Sequence, residues 1–400
     1  MQPIVVHKYG GSSLADVDKI RAVARRVADT VADGLRVVAV VSAMAGKTDA
    51  LLAHAKALSD NPNPRELDML LSVGERISTA SLAIALDELG VPAVSFTGSQ
   101  AGIITNARHN RARIVEVRPF RVMDELDAGK VVIVAGYQGV SYSREITTLG
   151  RGGTDTTAVA LAAALGAQHC EILSDVDGVY TADPRLVPAA HRLPTVGYDE
   201  MVALARHGAK VLNQDCVQYA SRHGIAVFAK ATFGPRDDTG TLVRTNPVDE
   251  PSAVTALAHR RELVRVHLPA SRLPRALAVL TALGLFPAGG EGGLGDAPVT
   301  LDLPLEDAHR QGLLAAHLAR DLGGEARVER GLGAVTVIGH GLGDEPDVLA
   351  AALSAARGEA GQPPGVRLGP LSLTLTVPSP AVEPLVARLH AALLEGGGTP

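Results

Sequence analysis

The sequence predicts an α/β fold in which a largely parallel sheet lies between helices, followed by two small α+β modules. Up to about residue 245, short Val/Ile-rich segments alternate with segments whose apolar residues recur at helical spacing. A polar, proline-bearing segment at 245–252 then interrupts the pattern. Beyond it the composition changes, since Phe286 is the only aromatic residue there and lysine is absent. A chain of 400 residues is also too long for one ordinary core.

In the first part, apolar runs predict strands and amphipathic runs predict helices. The predicted strands are residues 3–7, 36–41, 93–96, 131–135, 171–174 and 226–229, and the predicted helices are residues 16–32, 66–88 and 155–165. Such alternation is typical of parallel sheets covered by helices on both faces. Ligands of these folds bind at the carboxyl ends of the strands, so we expect a site there.

In the last part, one order of elements occurs twice. Strand, helix, strand and helix are predicted at 263–268, 272–285, 299–303 and 305–322, and again at 335–339, 345–357, 371–377 and 380–394. Each set has the size of a ferredoxin-like βαββαβ module. The predicted boundaries are therefore a catalytic domain at 1–245, a linker at 246–260, and modules at 261–330 and 331–400.

Composition excludes several classes of protein. The net charge of −5 gives no electrostatic support for a nucleic-acid partner. Cys170 and Cys216 lack the paired spacing of a disulfide framework or a Cys-type metal site, so no metal ligands are predicted. No apolar run approaches the length of a membrane span, and the first strand leaves no room for a signal peptide. We expect a cytoplasmic protein.

Two glycine-rich loops each join a strand to a helix. The first is His7-Lys-Tyr-Gly-Gly-Ser-Ser13 and the second is Leu149-Gly-Arg-Gly-Gly-Thr-Asp-Thr-Thr157. Glycine permits close backbone approach to an anion, and the following helix directs N–H groups and its positive dipole end towards it. Two such loops in one domain predict a long polyanion such as a nucleoside triphosphate, although Lys8 could also be a surface lysine at a strand end.

The loop after the second predicted strand is Val41-Ser-Ala-Met-Ala-Gly-Lys-Thr48. Gly46-Lys47-Thr48 imitates the end of a P-loop, but Val41 stands where that motif needs a glycine, so a P-loop is disfavoured. Further on, Glu75 lies within a strongly apolar helix and needs a charged or hydrogen-bonding partner. That partner is either an arginine of the protein or the ammonium group of a substrate.

Arg151 offers a planar fork for bidentate binding of a carboxylate, with the Thr154 hydroxyl nearby in sequence. The alternative is a solvated loop arginine. A separate string, Leu173-Ser-Asp-Val-Asp-Gly-Val-Tyr-Thr-Ala-Asp-Pro-Arg185, contains two turn signals after a strand. Its Asp-x-Asp-Gly start imitates an EF-hand, but the terminal glutamate of that loop is missing.

Taken together, these strings resemble the aspartate kinases, and the resemblance covers nearly all of residues 1–245. It implies transfer of the γ-phosphoryl group of Mg-ATP to the β-carboxylate of L-aspartate, the first step of lysine, threonine and methionine biosynthesis. In such a reaction Lys8 and Lys210 neutralise phosphate charge and Asp155 orients the lysines. The implied nucleotide contacts are Lys8, Tyr9, Gly10, Gly11, Ser174, Asp175, Tyr180, Asp183, Arg185, Lys210 and Val211. The implied aspartate contacts are Ser42, Thr48, Glu75, Arg151, Gly152, Gly153 and Thr154.

The tail resembles the paired ACT-type regulatory modules of that family, which implies a homodimer and a lysine or threonine effector. Two departures from the family pattern weaken the implication of a lysine or threonine effector. The first module lacks the usual Pro-Gly turn, and a glycine-rich segment at 286–293 replaces the polar strand that holds an effector. We therefore expect weakened feedback inhibition. Asn213-Gln214 also replaces the usual His-Pro, which predicts altered packing on the adenine side.

Two other functions stay open at this point. One is a different carboxylate or phosphate kinase of the same fold, such as a glutamate or acetylglutamate kinase, which the contexts of Glu75 and Arg151 disfavour. The other is a catalytically weakened regulatory protein, which the complete set of motifs disfavours.

Overall fold

A computed structural model describes residues 2–150, 152–245, 254–292, 297–305, 308–340, 342, 345–357 and 365–395. The chain forms two compact units. The first contains Met1–Val179, Arg192–Val202 and Lys210–Pro247, and the second contains Tyr180–His191, Ala203–Ala209 and Val248–Pro400. The second unit thus includes two segments that the sequence assigned to the catalytic domain.

The first unit contains an eight-stranded sheet and a four-stranded sheet. Its strands are β1 (Ile4–Tyr9), β2 (Arg36–Val41), β3 (Ala93–Phe96), β4 (Ile103–Thr105), β5 (Ile114–Val117), β6 (Val131–Ala135), β7 (Gln138–Ser141), β8 (Ile146–Thr148), β9 (His169–Ser174), β10 (Thr195–Gly197), β11 (Val227–Ala231) and β12 (Thr241–Arg244). The larger sheet has the order β10-β12-β11-β9-β1-β2-β6-β3 and the smaller one β5-β4-β7-β8. In the larger sheet only β11 and β12 pair antiparallel, so the predicted largely parallel sheet is present.

Eight helices begin in this unit. They are α1 (Val17–Ala32), α2 (Lys47–Leu58), α3 (Pro64–Leu71), α4 (Val73–Glu88), α5 (Phe120–Asp127), α6 (Gly153–Ala164), α7 (Tyr198–His207) and α8 (Gln214–His223). Sequence periodicity identified α1 and α6 but not α2, α5, α7 or α8. It also predicted one helix at 66–88, where the structure has two, α3 and α4, that meet at Ser72.

The α3–α4 stretch, Pro64–Glu88, is long and apolar enough to cross a membrane by length and composition alone. It is not an uninterrupted apolar run, because charged residues such as Glu66, Asp68 and Glu75 occur within it. The stretch contains two buried carboxylates, Asp68 and Glu75, and α4 packs against α1, β3 and β6. These contacts are typical of a core helix of a folded domain.

The two faces of β1 pack against different helices because side chains alternate along a strand. Val5 and Tyr9 belong to a core cluster that also contains residues of α1 and α4, such as Val23 and Leu82. The opposite face, which carries Lys8, lies towards α6, eight of whose twelve residues are buried. The register pairs Lys8 with Val40 of β2 and Ile172 of β9, at the centre of the sheet.

The second unit is built on an antiparallel sheet of order β14-β15-β13-β16-β18-β17. Its elements are β13 (Ala256–Pro269), α9 (Leu273–Ala282), β14 (Gly289–Gly292), β15 (Pro298–Leu303), α10 (Ala308–Leu322), β16 (Arg327–Ile338), α11 (Pro346–Ala356), β17 (Gly365–Gly369), β18 (Ser372–Pro378) and α12 (Val382–His390). All eight predicted tail elements are present. The sequence missed the edge strands β14 and β17 and placed 256–260, the start of β13, in a linker.

Each half of this sheet has its own apolar core. One cluster joins α9 and α10 to β13 and β15 through residues such as Leu280 and Leu314. The other joins α11 and α12 to β16 and β18, and it also contains Ala182 and Val187. Ala182 lies within the predicted nucleotide string and Val187 shortly after it, and their burial explains why Tyr180–His191 belongs to the second unit.

Candidate active site

Three loops meet at the carboxyl ends of the central strands. The backbone N–H of Gly10 donates to the carbonyl of Leu173 at 3.2 Å, which joins the ends of β1 and β9. The N–H of Ser42 donates to the carbonyl of Tyr9 at 3.1 Å, which joins the ends of β1 and β2. The glycine pair after β1 therefore lies between the Ser42 loop and Ser174 at the end of β9.

Glycine is required at the second position of that pair. A Cβ on Gly11 would lie 2.7 Å from the carbonyl oxygen of Ala43, closer than real contacts allow. The Gly11 carbonyl in turn accepts from the N–H of Ala45 at 3.1 Å. The two loops thus touch through their backbones, and only glycine lets them approach this closely.

Lys8 and Asp155 form an ion pair at the same edge of the sheet. Nζ of Lys8 lies 2.7 Å from Oδ1 of Asp155, and Lys8 is only 9% exposed. Asp155 is in the first turn of α6, where the positive end of the helix dipole stabilises a carboxylate. The position where a Gly10 Cβ would stand is 3.6 Å from Nζ. The ammonium group is thus held beside the glycine pair.

The second glycine-rich loop packs tightly at the start of α6. Gly152 has a left-handed φ of +73°, and a Cβ there would overlap the side chain of Asn213. A Cβ on Gly153 would lie 2.7 Å from that of Leu149. Thr154 is buried beside Gly136 and leaves it no space for a side chain. Arg151 lies outside the described residues.

Glu75 is a buried carboxylate with an incomplete set of partners. It is in the first turn of α4, is 3% exposed, and accepts the N–H of Ala43 at Oε1 over 3.2 Å. Its Oε2 is buried and has no hydrogen-bond partner among the residues that the structure describes. Burial raises the pKa of Glu75 from 4.5 to about 7, although backbone hydrogen bonds oppose the shift. No cationic or donor group from the described part of the chain therefore meets this atom.

Two further residues that were predicted to bind the amino-acid substrate lie on either side of Ala43 in the sequence. Ser42 follows β2 and is half-buried, and Thr48 is half-buried in the first turn of α2. Gly46, with a φ of +75°, ends the turn between them and begins the helix. Through Ala43, this loop touches both Gly11 and Glu75.

The predicted nucleotide residues divide between the two units. Ser174 and Asp175 follow β9 in the first unit, where the Ser174 hydroxyl accepts the N–H of Val176 at 3.2 Å. Exposed Lys210 and half-buried Val211 also belong to the first unit.

Tyr180, Asp183 and Arg185 belong to the second unit. Arg185 makes a bidentate contact with Asp183, at 2.9 and 2.7 Å, and this guanidinium lowers the pKa of the Asp183 carboxyl. The residues from Ser174 to Arg185 thus form one continuous motif in the sequence, but the structure divides them between the two units after Val179.

Two further residues lie next to these loops. Asp68 of α3, which sequence reasoning missed, is fully buried and contacts the segment that precedes Leu149. The same signal that singled out Glu75, a carboxylate in an apolar helix, was present at Asp68, seven positions earlier. Asn213 caps α8, and its side chain lies against Gly152. Altered packing on the adenine side stays a prediction.

No group of three or more His, Cys, Asp or Glu side chains suited to a metal ion occurs among the described residues. A magnesium ion bound mainly through substrate phosphates needs no such group, because Mg²⁺ keeps several waters and takes one or two protein carboxylates. Asp155 is a carboxylate beside the glycine pair, close enough to Lys8 to share a phosphate environment.

Comparison with known proteins identifies the relatives of this chain. The profile of the Amino acid kinase family matches residues 3–229. The aspartokinase of Mycobacterium tuberculosis H37Rv is 40% identical over 417 residues, which cover 98% of this chain and 97% of that protein. The aspartokinase of Mycolicibacterium smegmatis is 52% identical over 267 residues, which cover 66% of this chain and 63% of that protein.

A solved structure is similar over almost the whole length. Aspartokinase III of E. coli in complex with aspartate and ADP (R-state) superposes with a TM-score of 0.81 at 28% identity, covering 98% of this chain and 99% of that one. The same protein with lysine and aspartate (T-state) gives a TM-score of 0.77 at the same coverage. The predicted amino-acid kinase fold, followed by ACT-type modules, is confirmed. This chain belongs to the amino acid kinase family and, within it, to the aspartokinases.

Proposed function

We propose that this protein transfers the γ-phosphoryl group of ATP to the β-carboxylate of L-aspartate, giving 4-phospho-L-aspartate and ADP. The observation that carries the proposal is that the Ala43 loop joins two buried charged groups, the Lys8–Asp155 ion pair beside the glycine pair and the Glu75 carboxylate, whose Oε2 has no partner among the described residues. The first is suited to a phosphate and the second to an ammonium group. The E. coli relative was solved with aspartate and ADP, which supports this pair of ligands.

The nucleotide is held by the glycine pair and by charged side chains from several loops. Lys8 and Lys210 neutralise phosphate charge, and Asp155 holds the ammonium of Lys8 in place. The proposed nucleotide contacts are Lys8, Tyr9, Gly10, Gly11, Ser174, Asp175, Tyr180, Asp183, Arg185, Lys210 and Val211.

Aspartate is held by its ammonium group and its carboxylates. Glu75 binds the ammonium group, since this completes the partners of its buried Oε2. Arg151 grips a carboxylate through its planar fork. The proposed aspartate contacts are Ser42, Thr48, Glu75, Arg151, Gly152, Gly153 and Thr154.

The chemistry needs no general base. The substrate β-carboxylate, with a pKa of about 4, is already ionised at neutral pH. One of its oxygens forms a bond to the γ-phosphorus as the bond from that phosphorus to the β–γ bridging oxygen breaks, and ADP leaves with the electron pair. The protein therefore contributes alignment and neutralisation of phosphate charge, which are the main sources of catalysis in phosphoryl transfer.

Magnesium accompanies the nucleotide in this proposal. Bound to the phosphates, Mg²⁺ reduces their negative charge during transfer. Asp155, in the first turn of α6 and 2.7 Å from Lys8, is the residue that would hold such an ion.

Further proposals concern the rest of the molecule. The catalytic domain spans 1–245, and the tail forms a homodimer in a cytoplasmic enzyme of lysine, threonine and methionine biosynthesis. Lysine or threonine inhibits it weakly or not at all, because the segment expected to hold an effector is the glycine-rich edge strand Gly289–Gly292.

A substrate panel tests the proposed function. ADP release is measured with Mg-ATP and either L-aspartate, L-glutamate, N-acetyl-L-glutamate or no acceptor, and the acyl phosphate is trapped as a hydroxamate. We expect turnover and hydroxamate with L-aspartate only. Faster turnover with glutamate or N-acetylglutamate would show a different kinase of this fold, and no turnover with any acceptor would show a non-catalytic relative.

A further inference from the structure

Asp68 is the most deeply buried carboxylate near the candidate site, yet none of the proposed contacts includes it. It lies on α3 with 0% of its surface exposed. Removing a charge from water is costly unless hydrogen bonds compensate, so the partners of Asp68 indicate what it stabilises.

Three partners surround this carboxylate. The Thr148 hydroxyl donates to Oδ1 at 2.5 Å, and the backbone N–H of Asn110 lies 3.0 Å from Oδ1 and 3.2 Å from Oδ2. Nδ1 of His109 lies 2.7 Å from Oδ2. Hydrogen bonds to a charged acceptor are about twice as strong as neutral ones, so this set favours one arrangement of the three donors.

The donors belong to two segments, one that leads into the second glycine-rich loop and one that packs against it. Thr148 ends β8 and is followed directly by Leu149, whose N–H donates to the carbonyl of Tyr137 at 2.8 Å. His109 and Asn110 lie in the loop between β4 and β5. The backbone N–H of Ala112 in that loop donates to the carbonyl of Thr148 at 2.8 Å. Asp68 thus joins α3 to both segments at once.

The neighbouring backbone is held in conformations that need support. Asn110 and Tyr137 both have left-handed φ angles, +63° and +66°, which are uncommon for residues other than glycine. The Asn110 carbonyl also lies close to Gly150, 3.4 Å from the position of a Cβ there. Such conformations persist where the surroundings stabilise them, and at Asn110 the contacts of its N–H with the Asp68 carboxylate supply that stabilisation.

Asp68 and Glu75 are seven positions apart, one on each of two consecutive helices. Glu75 contacts the Ala43 loop, and Asp68 contacts the segment before Leu149. The α3–α4 stretch therefore contacts two segments that carry or lead into proposed aspartate contacts.

We propose that Asp68 is a positioning residue for amino-acid binding: through Thr148 and Asn110 it holds Leu149 and Gly150, the described residues of this loop that precede Arg151. The inference rests on the proposed function in one respect, namely that this loop grips aspartate. Loss of the Asp68 contacts then weakens aspartate binding and leaves ATP binding nearly unchanged, because the Lys8–Asp155 pair and the glycine pair do not touch Asp68.

Kinetic constants of three variants test the proposal. Asp68→Asn keeps the shape and removes the charge, and Thr148→Val keeps the shape and removes the donor, whereas Thr148→Ser retains the hydroxyl as the matched control. We expect the KM for aspartate to rise about tenfold or more in the first two, the size expected from losing one charged hydrogen bond. The KM for ATP should change less than about twofold, and Thr148→Ser should behave like the unaltered protein.

Hydrogen exchange supplies a readout that does not need activity. Peptides covering 106–113 and 146–150 should exchange faster in Asp68→Asn and Thr148→Val, while a peptide covering β1 should not change. If the unaltered protein failed to phosphorylate aspartate, the proposed function would fall, but this measurement would still decide the role of Asp68. Equal rises in both KM values, identical behaviour of the Val and Ser variants, or unchanged exchange in both loops would overturn the positioning role.

Discussion

The buried carboxylate of Glu75 predicts how aspartate use depends on pH. Burial raises its pKa to about 7 in the free protein. Only the ionised form attracts the substrate ammonium group, and at pH 6 about one-tenth of the protein carries it, against about nine-tenths at pH 8. We therefore expect kcat/KM for aspartate to fall about tenfold between pH 8 and pH 6, with a single break near pH 7.

The assay is ADP release at saturating Mg-ATP with aspartate varied from pH 5.5 to 8.5. The ammonium and carboxylates of aspartate do not titrate near pH 7, so the break reports the protein. In Glu75→Gln the profile should lose the break and the KM for aspartate should be high throughout. A break near the ordinary glutamate pKa, or one that persists in Glu75→Gln, would falsify the assignment. Varying ATP at saturating aspartate provides the control.

The same shift predicts an effect on stability, with a definite sign. Because the folded pKa lies above the unfolded value of 4.5, the folded state binds the proton more tightly. The contribution of Glu75 to stability is therefore complete below pH 4.5 and is lost as the pH rises through about 7, by as much as about 3 kcal/mol. At pH 8, Glu75→Gln should unfold at a temperature no lower than the unaltered protein, and a clear fall would contradict this.

Four further measurements follow from the site and the tail. Lys8→Ala should slow phosphoryl transfer by about 10² to 10³-fold with little change in aspartate affinity, because it removes a fixed charge; an undiminished rate of hydroxamate formation would contradict this. Arg151→Lys keeps the charge but loses the fork, so the aspartate KM should rise far more than the ATP KM. Gly152→Ala should destabilise the fold by more than Gly90→Ala, as measured by urea unfolding, because both glycines have φ near +73° but only Gly152 lies against Asn213. Calorimetry with lysine and with threonine should show weak or no binding; tight binding with matching inhibition would oppose the proposed loss of feedback.

Local chemistry made much of the site predictable from the sequence. A glycine pair after an apolar strand is informative by itself, because close backbone approach needs glycine wherever the loop lies. A carboxylate in an apolar helix, such as Glu75, likewise signals a need for a partner. The central strands were readable because parallel strands buried on both faces are continuous apolar runs.

Other features could not be read in this way. Helix α2 has no strong apolar face of its own, and the edge strand Gly289–Gly292 has almost no side chains to show a pattern. Its pairing with β15 depends on backbone hydrogen bonds, which any sequence can make. In α9, helical spacing places Leu273, Leu277 and Leu280 on one face, but Leu277 is 40% exposed, and the buried residues are Ala276, Val279 and Leu280.

The sequence by itself determined the central strands, the family and the residue types of the proposed site. Tertiary structure decided which residues meet: the 2.7 Å contact of Lys8 with Asp155, the Thr148 and Asn110 contacts of Asp68, and the close packing of Asn213 against Gly152. It also decided that Tyr180 and Ser174 belong to different units. The physical reason is that propensity and apolar periodicity act over a few neighbouring residues. Contacts between distant residues depend instead on which strands become neighbours in the sheet and how their loops pack.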